Sequence, residues 1–228
     1  MPSIKIPRKS TATDMTPFVD VAFLILSFFM LATKFKPPEP APISTPKSVS
    51  ADQLTEENAV LVEFDSTGRV FFSMSVKKPE HERLKRTLIE TINTSKNLGL
   101  TEAEIRSFER NTVIGVPFRE LKATLAIPPD DRYKKLPAGI PTDSTNNELA
   151  EWITTAKSTF YNESRSMQVF YMIKGDNNAV YPSFDGVVEA MRRADQFSYK
   201  LVTDPKEAPA GSELYRQRQQ ARGASVTP

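Results

Sequence analysis

Apolar and polar positions alternate very differently along different stretches of this chain. From 17 to 33 it runs PFVDVAFLILSFFMLAT, in which 13 of 17 residues are Ala, Val, Ile, Leu, Met or Phe. Carried from 16 to 34 the run has 19 residues, roughly 28 Å of helix at about 1.5 Å per residue. That nearly matches the about 30 Å of a hydrocarbon core. Thr16 is placed to cap the helix and Pro17 to fill its first position, where a missing N–H costs nothing. The apolar residues cover nearly every side, so the pattern predicts a single membrane span over 15–36, after a basic tail at 1–14. A cleaved signal peptide would need a shorter apolar region and a small-x-small site, and no clear site follows Leu31. A buried helix of a soluble core would need a packing partner, whereas a proline-rich stretch comes next. Lys5, Arg8 and Lys9 precede the run and Lys34 and Lys36 follow it. This bias, with the larger C-terminal part exported, places the N-terminus in the cytoplasm.

Beyond the span, 37–57 carries prolines at 37, 38, 40, 42 and 46. Such density disfavours helix and sheet and predicts an extended tether, about 3.1 Å per residue, with a reach of roughly 60 Å. A domain is expected over 58–204. Residues 59–65 alternate Val60, Val62 and Phe64 with Leu61, Glu63 and Asp65. Ser66, Thr67 and Gly68 then turn the chain into 69–76, with Val70, Phe72, Met74 and Val76 on one face, which is a β-hairpin. Helical spacing follows over 80–94, 101–110, 117–125 and 145–161, while Pro128, Pro129, Pro137 and Pro141 mark 127–142 as a surface loop. A strand over 166–174, a turn at 175–178, a helix over 183–197 and a strand over 199–203 close the domain. Residues 205–228 are polar and read as a mobile tail.

The apolar run contains one charge, Asp20. Near a helix centre an Asp costs about 2.5 to 3.5 kcal/mol, and each Leu, Ile, Phe or Val returns about 0.3 to 0.6 kcal/mol, so a dozen apolar residues can carry one carboxyl. Thr16, Asp20 and Ser27 fall on one stripe at about 100° per residue, shared with Leu24 and Leu31. A polar stripe on a spanning helix faces protein or a water path, not lipid. Desolvation favours the protonated acid and the positive helix end beside Thr16 and Pro17 favours the ionised one, so Asp20 is a candidate to load and release a proton. Plainer roles stay open: Asp20 as glue between helices or snorkelling to headgroups, and Ser27 bonding back to its own helix.

Composition narrows the chemistry. Thirty Lys+Arg against 28 Asp+Glu give a net charge of +2, too small to advertise a nucleic-acid partner. With no Cys and one His there is no disulfide, thiolate cluster or cysteine nucleophile, and multi-His zinc catalysis is disfavoured. Asp130, Asp131, Asp176 and Asp185 have no partnering His and read as turn residues, His81 as solvated or capping, and Trp152 as core. The chain is therefore expected to be no enzyme and to hold no metal and no cofactor.

The run DMTPFVDVAFLILSFFMLATKF, 14–35, resembles the membrane signature of the ExbD/TolR biopolymer-transport family. That signature is Met-Thr-Pro-x-x-Asp before an apolar stretch ending in Phe-Phe-Met, here Met15, Thr16, Pro17, Asp20, Phe28, Phe29 and Met30. The closing strand, acidic turn, helix with Val187 and Val188, and last strand are similar to the end of that family's periplasmic domain. Residues 77–165 do not fit and read as an insertion. The resemblance implies that Asp20 is the proton-carrying residue and the proton the transported species. It implies a dimer of this subunit inside a ring of a multi-span ExbB-like protein, acting on a TonB-like protein. The expected fold class is α+β: a single N-terminal transmembrane helix in the inner-membrane bilayer, a Pro-rich linker, and a small periplasmic α/β domain with a helical insertion. The rival reading is a single-span anchored periplasmic binding or scaffold protein that conducts no ions.

Overall fold

The computed structural model describes residues 15–32, 41–49, 58–129, 131–134, 136–206, 212 and 215–216. The basic tail at 1–14, the end of the expected span at 33–36, the parts of the expected proline-rich linker at 37–40 and 50–57, and most of the C-terminal tail thus lie outside the described residues. The chain forms two units, 1–37 and 38–228.

The first unit is a helix, Thr16–Ala32 (α1). The Val19 amide donates to the Met15 carbonyl at 3.0 Å, so Thr16 is the first helical residue and not the cap. Its apolar side chains are exposed all round, Phe18 at 68% and Leu31 at 87%. Among the described residues no helix is long and apolar enough to cross a membrane. The 17 residues of α1 reach about 25 Å, short of a hydrocarbon core, and the expected span also counted Thr33 and Lys34, which lie outside the described residues.

The second unit is α+β. In chain order it holds Lys47–Ser48 (β1), Ala59–Phe64 (β2), Val70–Ser75 (β3), Arg83–Lys96 (α2), Glu102–Arg110 (α3), Phe118–Leu125 (α4), Glu148–Glu163 (α5), Phe170–Gly175 (β4), Tyr181–Arg193 (α6), Lys200–Leu201 (β5) and Asp204–Pro205 (β6). The hairpin falls where the alternation predicts, with Val62 opposite Phe72 and Phe64 opposite Val70. Strand β2 then pairs parallel with β4, Ala59 opposite Phe170 through Phe64 opposite Gly175, and β4 pairs parallel with β5, giving a mixed sheet in the order β3-β2-β4-β5.

Between β3 and β4 the chain makes the helical excursion. The helix expected from residue 80 starts with a tight turn, Pro79–His81, before α2. Helix α3 is fixed by a capping box: the Glu104 amide donates to the Thr101 hydroxyl and the Thr101 amide to the Glu104 carboxylate at 2.7 Å. The expected 145–161 helix begins at Glu148, because the Asn147 side chain accepts from the Ala150 amide at 3.0 Å and so caps it there. The excursion shares one core with the sheet. Trp152, fully buried, stacks on Phe72 of β3, Phe108 of α3 and Phe118 at the start of α4, with centroids 5.2, 6.1 and 5.5 Å away. Leu88 and Ile92 of α2, Ile153 of α5 and Val187 and Met191 of α6 join the same cluster.

One element departs from the tether expectation. Strand β1 lies in the proline-rich stretch, yet it pairs parallel with β6 near the chain's end, Lys47 opposite Asp204 and Ser48 opposite Pro205. Two residues suffice because the bonds are main-chain bonds: Asp204 donates to the Pro46 carbonyl at 3.0 Å and Lys206 to that of Ser48 at 2.7 Å. Ala41, at the start of this segment, is buried.

Candidate functional site

Asp20 is one helical turn past the start of α1, and Thr16 and Ser27 lie on the same stripe at about 100° per residue. Thr16 and Asp20 are exposed and Ser27 is half-buried, the least exposed of the residues from Met15 to Leu31. Asp20 makes no hydrogen bond or ion pair with any described residue. Phe28 and Phe29 meet edge to face at 5.8 Å near the other end. The helix is therefore apolar on all sides except for one acid and two hydroxyls along a line. Chemically this can hold a proton on one carboxylate oxygen, and it cannot by itself wall off a path for that proton.

In the second unit the aspartates singled out by the sequence have structural partners or places. Asp131 pairs with Lys134 at 2.7 Å, and Asp185 lies within α6. Asp176 acts in the turn after β4, where its Oδ1 accepts from the Asn178 amide at 2.8 Å, and its Oδ2 also accepts from the Ser44 amide at 2.9 Å. Asp130 lies outside the described residues. Among the described residues no three His or acidic side chains converge as a metal site would require. His81, expected to be solvated or capping, ends the tight turn Pro79–His81, with its side chain largely withdrawn from solvent beside Glu80 and its Nδ1 without a partner among the described residues.

The perturbed groups of this unit have structural causes. Burial pushes the Asp65 carboxyl up, but bonds from Thr67 and Arg69 outweigh it and hold the group below its ordinary value. Arg132 is buried against the C-terminal end of α3, donating to the carbonyls of Asn111 at 2.9 Å and Ser107 at 3.2 Å and to the Ser107 hydroxyl at 2.7 Å. Burial lowers its pKa, and a guanidinium placed there answers the negative end of the helix dipole. Burial raises Tyr133 and Tyr171 to about 12.

The model of the family described as biopolymer transport protein ExbD/TolR matches residues 7–206. The chain belongs to the ExbD/TolR family. No curated protein and no solved structure gives a significant match. The match takes in α1 with its Met15-Thr16-Pro17-x-x-Asp20 motif, both strand units and the whole helical excursion, so the excursion falls within the family's span of the chain. Membership carries a role in the energy transduction of biopolymer transport and an association with the inner membrane and with membrane partners. Sequence reasoning missed the contacts of Ser44, Asp176 and Asn177 between the proline-rich stretch and the domain. The Asp176-Asn177-Asn178 turn was visible; the segment that bonds to it carries no side-chain pattern.

Proposed function

We propose that the chain is the ExbD-like subunit of an inner-membrane complex that couples the proton motive force to TonB-dependent outer-membrane transport, with Asp20 as the proton-carrying residue. The observation that carries this reading is the single carboxyl of α1. It stands without a partner among the described residues on a helix whose remaining surface is apolar, in a chain matched by the ExbD/TolR family from residue 7 to 206. In this reading the 15–36 segment spans the bilayer once, with the N-terminus cytoplasmic and the domain periplasmic. Apolar surface exposed on all sides of a helix costs free energy in water, at about 25 cal/mol per Å², and lipid or partner helices remove that penalty.

The chemistry follows from cost. An ionised carboxylate inside the membrane is expensive and a neutral acid much cheaper. Protonation of Asp20 lets its face of α1 sit against apolar surface, and ionisation drives it back toward polar partners, so each proton taken from one side and released to the other moves the helix. Thr16 and Ser27 supply the hydroxyls of the same stripe. One span cannot enclose the path, so an ExbB-like multi-span protein provides the walls, and a dimer of this subunit presents two such helices to it. The periplasmic domain passes the motion to a TonB-like protein. No metal or further cofactor enters, and the chain is not an enzyme.

Asp20→Asn tests the reading, because it keeps size and much hydrogen-bonding capacity but cannot carry a proton. The complex is expected to assemble with unchanged copy number and to lose uptake that depends on the proton motive force. Normal assembly with surviving uptake would leave Asp20 as helix glue and the chain as an anchored scaffold.

A further inference from the structure

The segment from Ala41 to Val49 is attached to the domain by main-chain bonds at two places. The Ser44 amide donates to Asp176 Oδ2 at 2.9 Å and the Asn177 amide to the Ser44 carbonyl at 2.7 Å, while Asp204 and Lys206 donate to Pro46 and Ser48. Ala41 is its one buried residue, and no residue of the segment belongs to the hydrophobic core cluster. Main-chain bonds at the surface and the half-buried side chains of Ile43, Thr45, Pro46 and Ser48 hold it, so it can leave without taking a residue from the core cluster. Pro46 also forms part of the wall of an apolar crevice of about 320 Å³ at the carboxyl ends of β2, β4 and β5, lined further by Phe64, Ile173, Phe184 and Leu201.

We infer that 41–49 is a releasable strap whose docking sets the length of the tether, an inference that rests on the proposed anchoring of α1. With the strap docked, residues 33–40 alone connect α1 to the domain, eight residues that reach at most about 26 Å at about 3.3 Å each. With the strap released, 33–57 do so, twenty-five residues that reach up to about 80 Å. Release also takes Pro46 from the wall of the crevice. The docked state holds the domain on a short lead and the released state lets it reach a distant partner, so the working cycle needs both.

The chain has no cysteine, which makes a cross-link unambiguous. Lys47 and Asp204 are register partners in a parallel pair, and such neighbours, about 4.8 Å apart, lie within the Cα range of a disulfide. K47C/D204C in the full chain, assembled with its membrane partner in cells, is expected to cross-link on mild oxidation. The oxidised form is expected to keep assembly while losing at least tenfold of its uptake, and reductant is expected to restore it; each single variant behaves as the parent. Ser44→Pro, which removes the amide that Asp176 accepts, is expected to cut the cross-linking rate of the same pair several-fold. Full uptake in a quantitatively cross-linked complex would overturn the strap as a releasable element. Absence of cross-linking would overturn its docking, whatever the uptake. Cross-linking is read on a gel in the presence or absence of Asp20→Asn, so a failure of the proton-carrier reading leaves the strap's own test intact.

Discussion

Asp65 keeps its charge in a buried turn because donors converge on it. Its Oδ1 accepts from the Thr67 amide at 2.9 Å, the Thr67 hydroxyl at 2.7 Å and the Arg69 amide at 3.0 Å, and its Oδ2 from Arg69 Nε at 2.7 Å. Gly68, at φ +86, lets the chain turn this tightly. Asp65→Ala leaves those donors without an acceptor and is expected to destabilise the domain by about 1 to 3 kcal/mol, read as a drop in melting temperature. The carboxyl is held below its ordinary value of 3.8, so its contribution is fully present above that value and is lost as pH falls through the lower folded value. Melting curves from pH 6 down to 2.5 are expected to show the parent losing its advantage over Asp65→Ala. The sign reverses for Tyr133 and Tyr171, raised to about 12 by burial. The stability they hold as neutral phenols is present below pH 10 and declines from there to about pH 12, a loss that Tyr171→Phe should make smaller.

At the scale of elements, caps and aromatic packing decide where helices begin and how they meet. Removing the α3 capping box by Thr101→Ala is expected to cost about 1 kcal/mol. Trp152→Ala empties the space between Phe72, Phe108 and Phe118 and is expected to cost about 3 to 5 kcal/mol, enough to unfold much of the domain in a urea titration. The spacing of apolar residues made the hairpin and the helices of the excursion readable, because Leu84, Leu88, Ile89 and Ile92, for example, all point at one core. The α3 capping box was not read from the sequence, although Thr101 and Glu104 stand at the three-residue spacing such a box needs. What was not readable depends on atoms that every residue has or on groups far apart in sequence. Strand β1 is held by backbone bonds in a stretch where proline argued against any sheet. The start of α4 is set by Glu148, whose Oε2 accepts from the Phe118 amide at 2.7 Å across 30 residues. The single core uniting the excursion with the sheet likewise follows from tertiary contacts that periodicity cannot assign.

For the whole molecule, the parts divide the labour. One apolar helix carries one ionisable group, and a separate α+β unit is held together by its own hydrophobic core; in the proposed reading that unit supplies the surface for partners. The site was legible to the extent that a lone Asp in an apolar run is costly and therefore needs a reason; what it would meet was not, because one chain's sequence carries no pattern for the surfaces of another. The claim that Asp20 moves protons is tested most directly by reconstituting the complex with its multi-span partner in sealed vesicles. Proton flux driven by a potassium diffusion potential would be measured with an internal pH dye. The parent complex is predicted to conduct, and the complex carrying Asp20→Asn, matched for copy number, to conduct no more than empty vesicles. Equal flux through both complexes would contradict the account.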